Sequence, residues 1–106
     1  MITANKADGI LIQGSRDSTP TISNNVITDN LGAGVRQYNV TDGGTYTNNK
    51  IVNNGGTLRA DVEVADGVSG TPSIPNISFN VFDDITGTRG AGSYNVKSNG
   101  DPILVP

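Results

Sequence analysis

Asp83 and Asp84 are the only adjacent carboxylates in the chain, and Arg89 follows five residues after Asp84. Paired carboxylates are what glycoside hydrolysis requires, one acting as acid and the other as base or nucleophile. A second set, Arg36, Tyr38, Arg59, Asp61 and Glu63, combines guanidinium, carboxylate and aromatic groups. Such groups fork onto hydroxyls and cover a ring face, so together they could hold a sugar. Asp61, Glu63 and Asp66 are also compatible with a Ca²⁺ site, because that cation takes carboxylate oxygens. No glycine-rich Ca²⁺ loop accompanies them, so no cofactor or metal is expected. Cys and His are both absent, which excludes disulfides, zinc modules and Cys or His nucleophile–base chemistry. Lys6, Lys50 and Lys97 are isolated and read as solvated surface.

The elements that must position these residues come from an internal repeat. Ile22-Ser23-Asn24-Asn25-Val26-Ile27-Thr28-Asp29-Asn30 returns as Tyr46-Thr47-Asn48-Asn49-Lys50-Ile51-Val52-Asn53-Asn54, and in looser form as Ile77-Ser78-Phe79-Asn80-Val81-Phe82-Asp83-Asp84. A second series alternates with it: Gly9-Ile10-Leu11-Ile12-Gln13-Gly14, Gly34-Val35-Arg36-Gln37-Tyr38-Asn39 and Asp61-Val62-Glu63-Val64-Ala65-Asp66, with Gly92-Ser93-Tyr94-Asn95-Val96 as a fourth candidate. The segments are short, rich in β-branched residues and bounded by Gly, Asn or Asp, which is the signature of strands and turns. No window keeps a helical apolar period for three turns.

Strands that recur with similar sequence at a coil-length period predict a parallel β-solenoid of about three to four coils, because stacked coils give equivalent positions equivalent neighbours. Ile22, Tyr46 and Ile77 should then stack inside, as should Ile27, Ile51 and Phe82. In the second series Ile10, Val35 and Val62 and then Ile12, Gln37 and Val64 should face in, leaving Leu11, Arg36 and Glu63 outside. That register makes Arg36 and Glu63 neighbours on adjacent coils, with Arg59 and Asp61 on the same outward side. An ordinary ion pair on a solvated face is the simpler role for them. Asn25, Asn49 and Asn80 are expected to form a structural ladder, taking the left-handed corner conformation and linking their amides up the stack.

Composition agrees with this reading. Of 106 residues, 34% are hydrophobic and 16% charged, and 13 Asn, 11 Thr, 8 Ser and 14 Gly take much of the remainder. These small residues support corners and turns but not a helical bundle. The length allows one domain, residues 1–106, and the unpaired strand edges of a short solenoid favour a fragment or C-terminal part of a longer one, or a homo-oligomer. A net charge of −3 with only seven scattered Lys and Arg argues against a nucleic-acid surface. No apolar run is long enough for a membrane span, and no secretory signal opens the chain.

The pattern G-[IV]-x-[IVQ] followed by [IY]-[ST]-x-N-x-[IF]-x-[DN] resembles the repeat of right-handed parallel β-helix proteins of the pectate-lyase-like superfamily over roughly residues 8–97. That group includes polysaccharide lyases, galacturonases, alginate epimerases and phage tailspikes. The resemblance implies a polysaccharide as partner, an extracellular or virion-surface location, and either recognition and processing of the glycan or a structural shaft. By letter, Asp83-Asp84 resembles the galacturonase acid pair, but the accompanying Gly-His-Gly and Arg-Ile-Lys segments are absent. In the repeat, moreover, Asp84 aligns with the corner positions Asp29 and Asn53. Binding or scaffolding is therefore expected ahead of catalysis. Two Gly-punctuated stretches, 67–75 and 86–92, are candidate walls for a binding face.

Overall fold

In a computed structural model the chain is all-β, and residues 1–13, 20–38, 44–65, 75–86 and 94–103 are described. Each pass of the chain contributes one short strand to each of three sheets. The first coil holds β1 (Ile2–Thr3), β2 (Ile10–Gln13) and β3 (Thr21–Ser23); the second holds β4 (Val26–Thr28), β5 (Val35–Tyr38) and β6 (Thr45–Thr47). The third holds β7 (Lys50–Val52), β8 (Val62–Ala65) and β9 (Asn76–Ser78), and the last has only β10 (Val81–Phe82) and β11 (Ile85–Thr86). The sheets run β1-β4-β7-β10, β2-β5-β8-β11 and β3-β6-β9, and every pairing between these strands is parallel. The arrangement is compatible with a parallel β-helix.

The register follows the repeat. Ile22 pairs with Tyr46 and Tyr46 with Ile77; Ile2, Ile27, Ile51 and Phe82 form a second file. Both files enter the core, where Ile27, Tyr46, Ile51 and Phe82 lose all solvent exposure. Burying an apolar side chain of this size stabilises by about 1.5–3 kcal/mol, so these two files and Val35, Val62 and Val64 supply most of the drive for stacking. Gln37 is the polar member of an otherwise apolar level, and the Tyr46 hydroxyl donates to its Oε1 inside the coil. At the two ends of the stack Ile2, Ile10, Ile12 and Ile85 are half-buried.

The corners correct the sequence reading by one residue. Asn25, Asn49 and Asn80 do not take the left-handed conformation; the residues before them do, with φ of 58° at Asn24, 56° at Asn48 and 60° at Phe79. Among the described residues all seven non-glycine residues with positive φ are followed by an asparagine: Ala4, Asn24, Asp29, Asn48, Asn53, Phe79 and Tyr94. The left-handed residue turns the chain, and the amide after it is thereby aimed into the stack.

Those amides form two ladders. In the first, the backbone N and Nδ2 of Asn25 both donate to Asn49 Oδ1 (3.0 and 3.2 Å), those of Asn49 to Asn80 Oδ1 (3.0 and 2.9 Å), and those of Asn80 to Asn95 Oδ1 (3.1 and 3.2 Å). The expected ladder is present and has a fourth rung. Tyr94-Asn95-Val96 therefore continues the Asn series, since Val96 bridges Val81 in parallel, and is not a member of the second strand series. The other ladder, at the next corner, runs Asn5, Asn30, Asn54 with the same paired donation (2.9–3.1 Å). It ends on Asp61, whose Oδ1 accepts Asn54 N and Nδ2 at 3.0 and 3.2 Å.

Candidate functional site

Asp61 takes the ladder position because the last coil omits its own asparagine. The chain runs from Phe82 through only Asp83 and Asp84 into β11, where the second coil uses Thr28 to Gly34 for the same corner. Asp61 falls at the level of Gly9 and Gly34, where a Cβ would strike the ladder amides, lying 3.0 Å from Asn30 Nδ2 and 2.7 Å from Asn54 Nδ2 respectively. With no fourth amide below it, the Asp61 side chain fills that space. It is only 2% exposed, so its expected outward placement is corrected. Desolvation pushes the Asp61 carboxyl up to about 6, with Asp84 adding to the rise and the N–H donors of Asn54 and Asp83 opposing it.

The acid pair is divided. Asp83 turns its carboxylate to Ser98, accepting the backbone N at 2.9 Å and Oγ at 2.8 Å, whereas Asp84 Oδ1 accepts the Asp61 N–H at 2.7 Å. Each oxygen so occupied holds a turn of the coil, and the two carboxylates do not converge on one point. Arg89 and Asp66 lie outside the described residues, as do 67–74 and 87–92 of the two candidate walls. Among the described residues no group of three or more acids, His or Cys could hold a metal ion.

The second predicted set is only partly assembled. Arg36 and Glu63 stand in register on β5 and β8, as the repeat requires. They do not pair: Arg36 Nη1 lies 3.6 Å from Asp8 Oδ2 with its guanidinium carbon 5.1 Å from the Tyr38 ring centroid, and Arg59 Nη1 lies 3.2 Å from Glu63 Oε1. Glu63 Oε2 also accepts the Ala60 N–H, fixing the start of β8. Tyr38 and Arg36 do share one outward patch of the sheet, while Asp61 is withdrawn from it.

A different surface gathers more. Along the first-ladder corner lies a shallow groove of about 490 Å³, lined by Asn24, Asn25, Asn48, Asn49, Lys50 and Phe79 together with Val26 and Val81. At its end the Phe79 and Tyr94 rings stack with centroids 4.9 Å apart and an interplanar angle of 15°. Both rings are solvent-exposed, at 56% and 74%. They occupy the left-handed positions taken by Asn24 and Asn48 in the coils above, so the corner geometry itself projects them outward. No family model, curated protein or solved structure matches the chain. The site is thus defined by its own chemistry: the exposed amides of Asn24 and Asn48, one ammonium group at Lys50, and an apolar ring surface. Lys50, Phe79 and Tyr94 were not singled out as a site in the sequence. The available signal was an aromatic residue immediately before the ladder Asn in two consecutive units, Phe79-Asn80 and Tyr94-Asn95.

Proposed function

We propose that the chain is a polysaccharide-recognising module, a right-handed parallel β-helix of pectate-lyase-like type that binds its glycan without cleaving it. The observation that carries the reading is the exposed, stacked Phe79–Tyr94 pair at the end of an amide-lined groove. Aromatic faces cover the apolar side of a sugar ring, and side-chain amides match hydroxyls in both donor and acceptor roles. Right-handedness is supported by the strong chiral preference of parallel crossover connections. Binding is favoured over catalysis because both oxygens of Asp83 accept from Ser98 and Asp84 Oδ1 accepts from Asp61 N. An extracellular or virion-surface setting, with further coils from a longer chain or a homo-oligomer, fits a module of this kind.

The alternative is a purely structural solenoid segment, favoured by the number of polar side chains committed to the two ladders. Incubation with uronate-containing and capsular glycans, with and without Ca²⁺, separates the readings. Retention lost in Phe79→Ala and Tyr94→Ala variants, with no chain cleavage, is the expected result. Absence of retention on every glycan leaves the scaffold reading, and cleavage abolished by Asp84→Asn overturns both.

A further inference from the structure

We infer that the joint formed by Asp61, Asp83 and Asp84 is a proton-operated latch on the last coil: proton uptake tightens β10, β11 and the segment 94–98, and proton loss loosens them. The last coil is thinly built at this joint. β10 and β11 have two residues each, and the corner between them has lost its asparagine. Three hydrogen bonds replace that rung: Asp83 N to Asp61 Oδ2 at 3.0 Å, Asp61 N to Asp84 Oδ1 at 2.7 Å, and Val62 N to Asp84 O at 3.2 Å. Across the step between the third and last coils an exposed acid, Asp84, is therefore seated on the backbone N–H of a buried one, Asp61. Burial first, and the neighbouring acid second, disfavour the ionised form of Asp61.

The other charged groups around the joint leave the repulsion in place. On β8 and the turn before it, Glu63 and Arg59 pair with each other. From the segment packed below, Ser98 approaches Asp83 with neutral donors, and among the described residues Lys97 forms no ion pair with Asp61, Asp83 or Asp84. Asp84 accordingly remains the acid that approaches Asp61, through the Asp61 backbone N–H. The lever arm is Asp83: its backbone is tied to Asp61 and its carboxylate to Ser98, four residues beyond Tyr94. Opening the joint thus frees the segment that presents Tyr94 to Phe79. The latch stands independently of the glycan reading; where that reading holds, acid would favour the intact aromatic pair.

The test is carboxyl and ring NMR with amide exchange on the full chain from pH 4 to 8. The Asp61 carboxyl, raised from 3.8 to about 6, gives roughly a 100-fold loss of protection at Phe82 and Val96 across that range after correction for intrinsic exchange. The Tyr94 ring shift should follow the same midpoint. Asp84→Asn, which keeps an acceptor for Asp61 N while deleting the neighbouring charge, should move the midpoint down, and Asp61→Asn should flatten the profile. Flat protection in the wild-type chain, an Asp61 midpoint in the ordinary carboxylate range, or an unchanged profile in Asp61→Asn would each overturn the latch. All of these readouts are free of any glycan, so failure of the binding assay and failure of the latch are separate results.

Discussion

Replacing Asn80 by Ala removes an interior rung and should cost far more than removing the end rung Asn25. Asn80 Oδ1 accepts two bonds from Asn49, and its Nδ2 serves Tyr46 O at 2.9 Å, Ser78 O at 3.0 Å and Asn95 Oδ1 at 3.2 Å. Neutral buried hydrogen bonds contribute about 1 kcal/mol net each, and a donor stranded without water costs about 1–3 kcal/mol. Asn49 is 2% exposed, so its N–H groups would be stranded, and the loss should total about 3–5 kcal/mol. Against a stability on the order of 5–15 kcal/mol, that change is easily measured. Asn25→Ala removes only side-chain donation to Ser23 O and Asn49 Oδ1, and Asn49 Oδ1 keeps the Asn25 backbone N–H. About 1 kcal/mol is expected there. Asn80→Asp keeps the acceptor but cannot donate to Tyr46 O or Ser78 O, and should be at least as harmful as Ala at neutral pH. Urea unfolding followed by far-UV circular dichroism reads these differences as midpoints at constant slope. Equal costs at Asn25 and Asn80, or a loss below about 1 kcal/mol at Asn80, would refute the ladder as a principal support of the stack.

Three further outcomes follow from the core. Gly34→Ala would drive a Cβ against Ile51 Cγ2 and to 2.7 Å from both Asn54 Nδ2 and Asp61 O, so a loss of at least about 1–3 kcal/mol is expected in the same urea assay. Tyr46→Phe deprives the buried Gln37 Oε1 of its phenol donor and should cost about 1–3 kcal/mol without changing the unfolding slope. Burial also pushes the Tyr46 phenol well above its usual range, so the unfolded chain releases that proton first and stability falls as pH rises through the ordinary phenol range. In a spectrophotometric titration the Tyr46 phenolate band should appear only together with unfolding; its appearance while the circular dichroism is still native would contradict that burial.

The architecture was legible because each core file is written in the sequence as a like-for-like repeat: Ile27, Ile51, Phe82 and Ile22, Tyr46, Ile77. The first ladder was legible for the same reason. Its corner was misplaced by one residue because Asn24-Asn25 and Asn48-Asn49 are identical pairs, and type alone cannot say which amide turns the chain and which points inward. Phe79-Asn80 resolves the ambiguity once coordinates assign φ. The second ladder escaped notice because Asn30 and Asn54 read as the ends of a unit, and its fourth level is vacated by the short Phe82-to-Ile85 corner. Asp61 was misread for the same reason. An acid at the start of a strand looks exposed unless the missing amide one coil below is known, and that absence is a property of the register.

The ladders also give the stack a direction. Within each ladder the asparagines share one sense, each sending its backbone N–H to the Oδ1 of the rung that follows. At the close of the second ladder the carboxylate of Asp61 sits where the N–H groups of Asn54 and Asp83 converge on it. At the Asn5 level no described rung precedes to donate to a carboxylate. The two faces of this short solenoid are therefore not interchangeable, and its tolerance for charge depends on the level at which the charge enters.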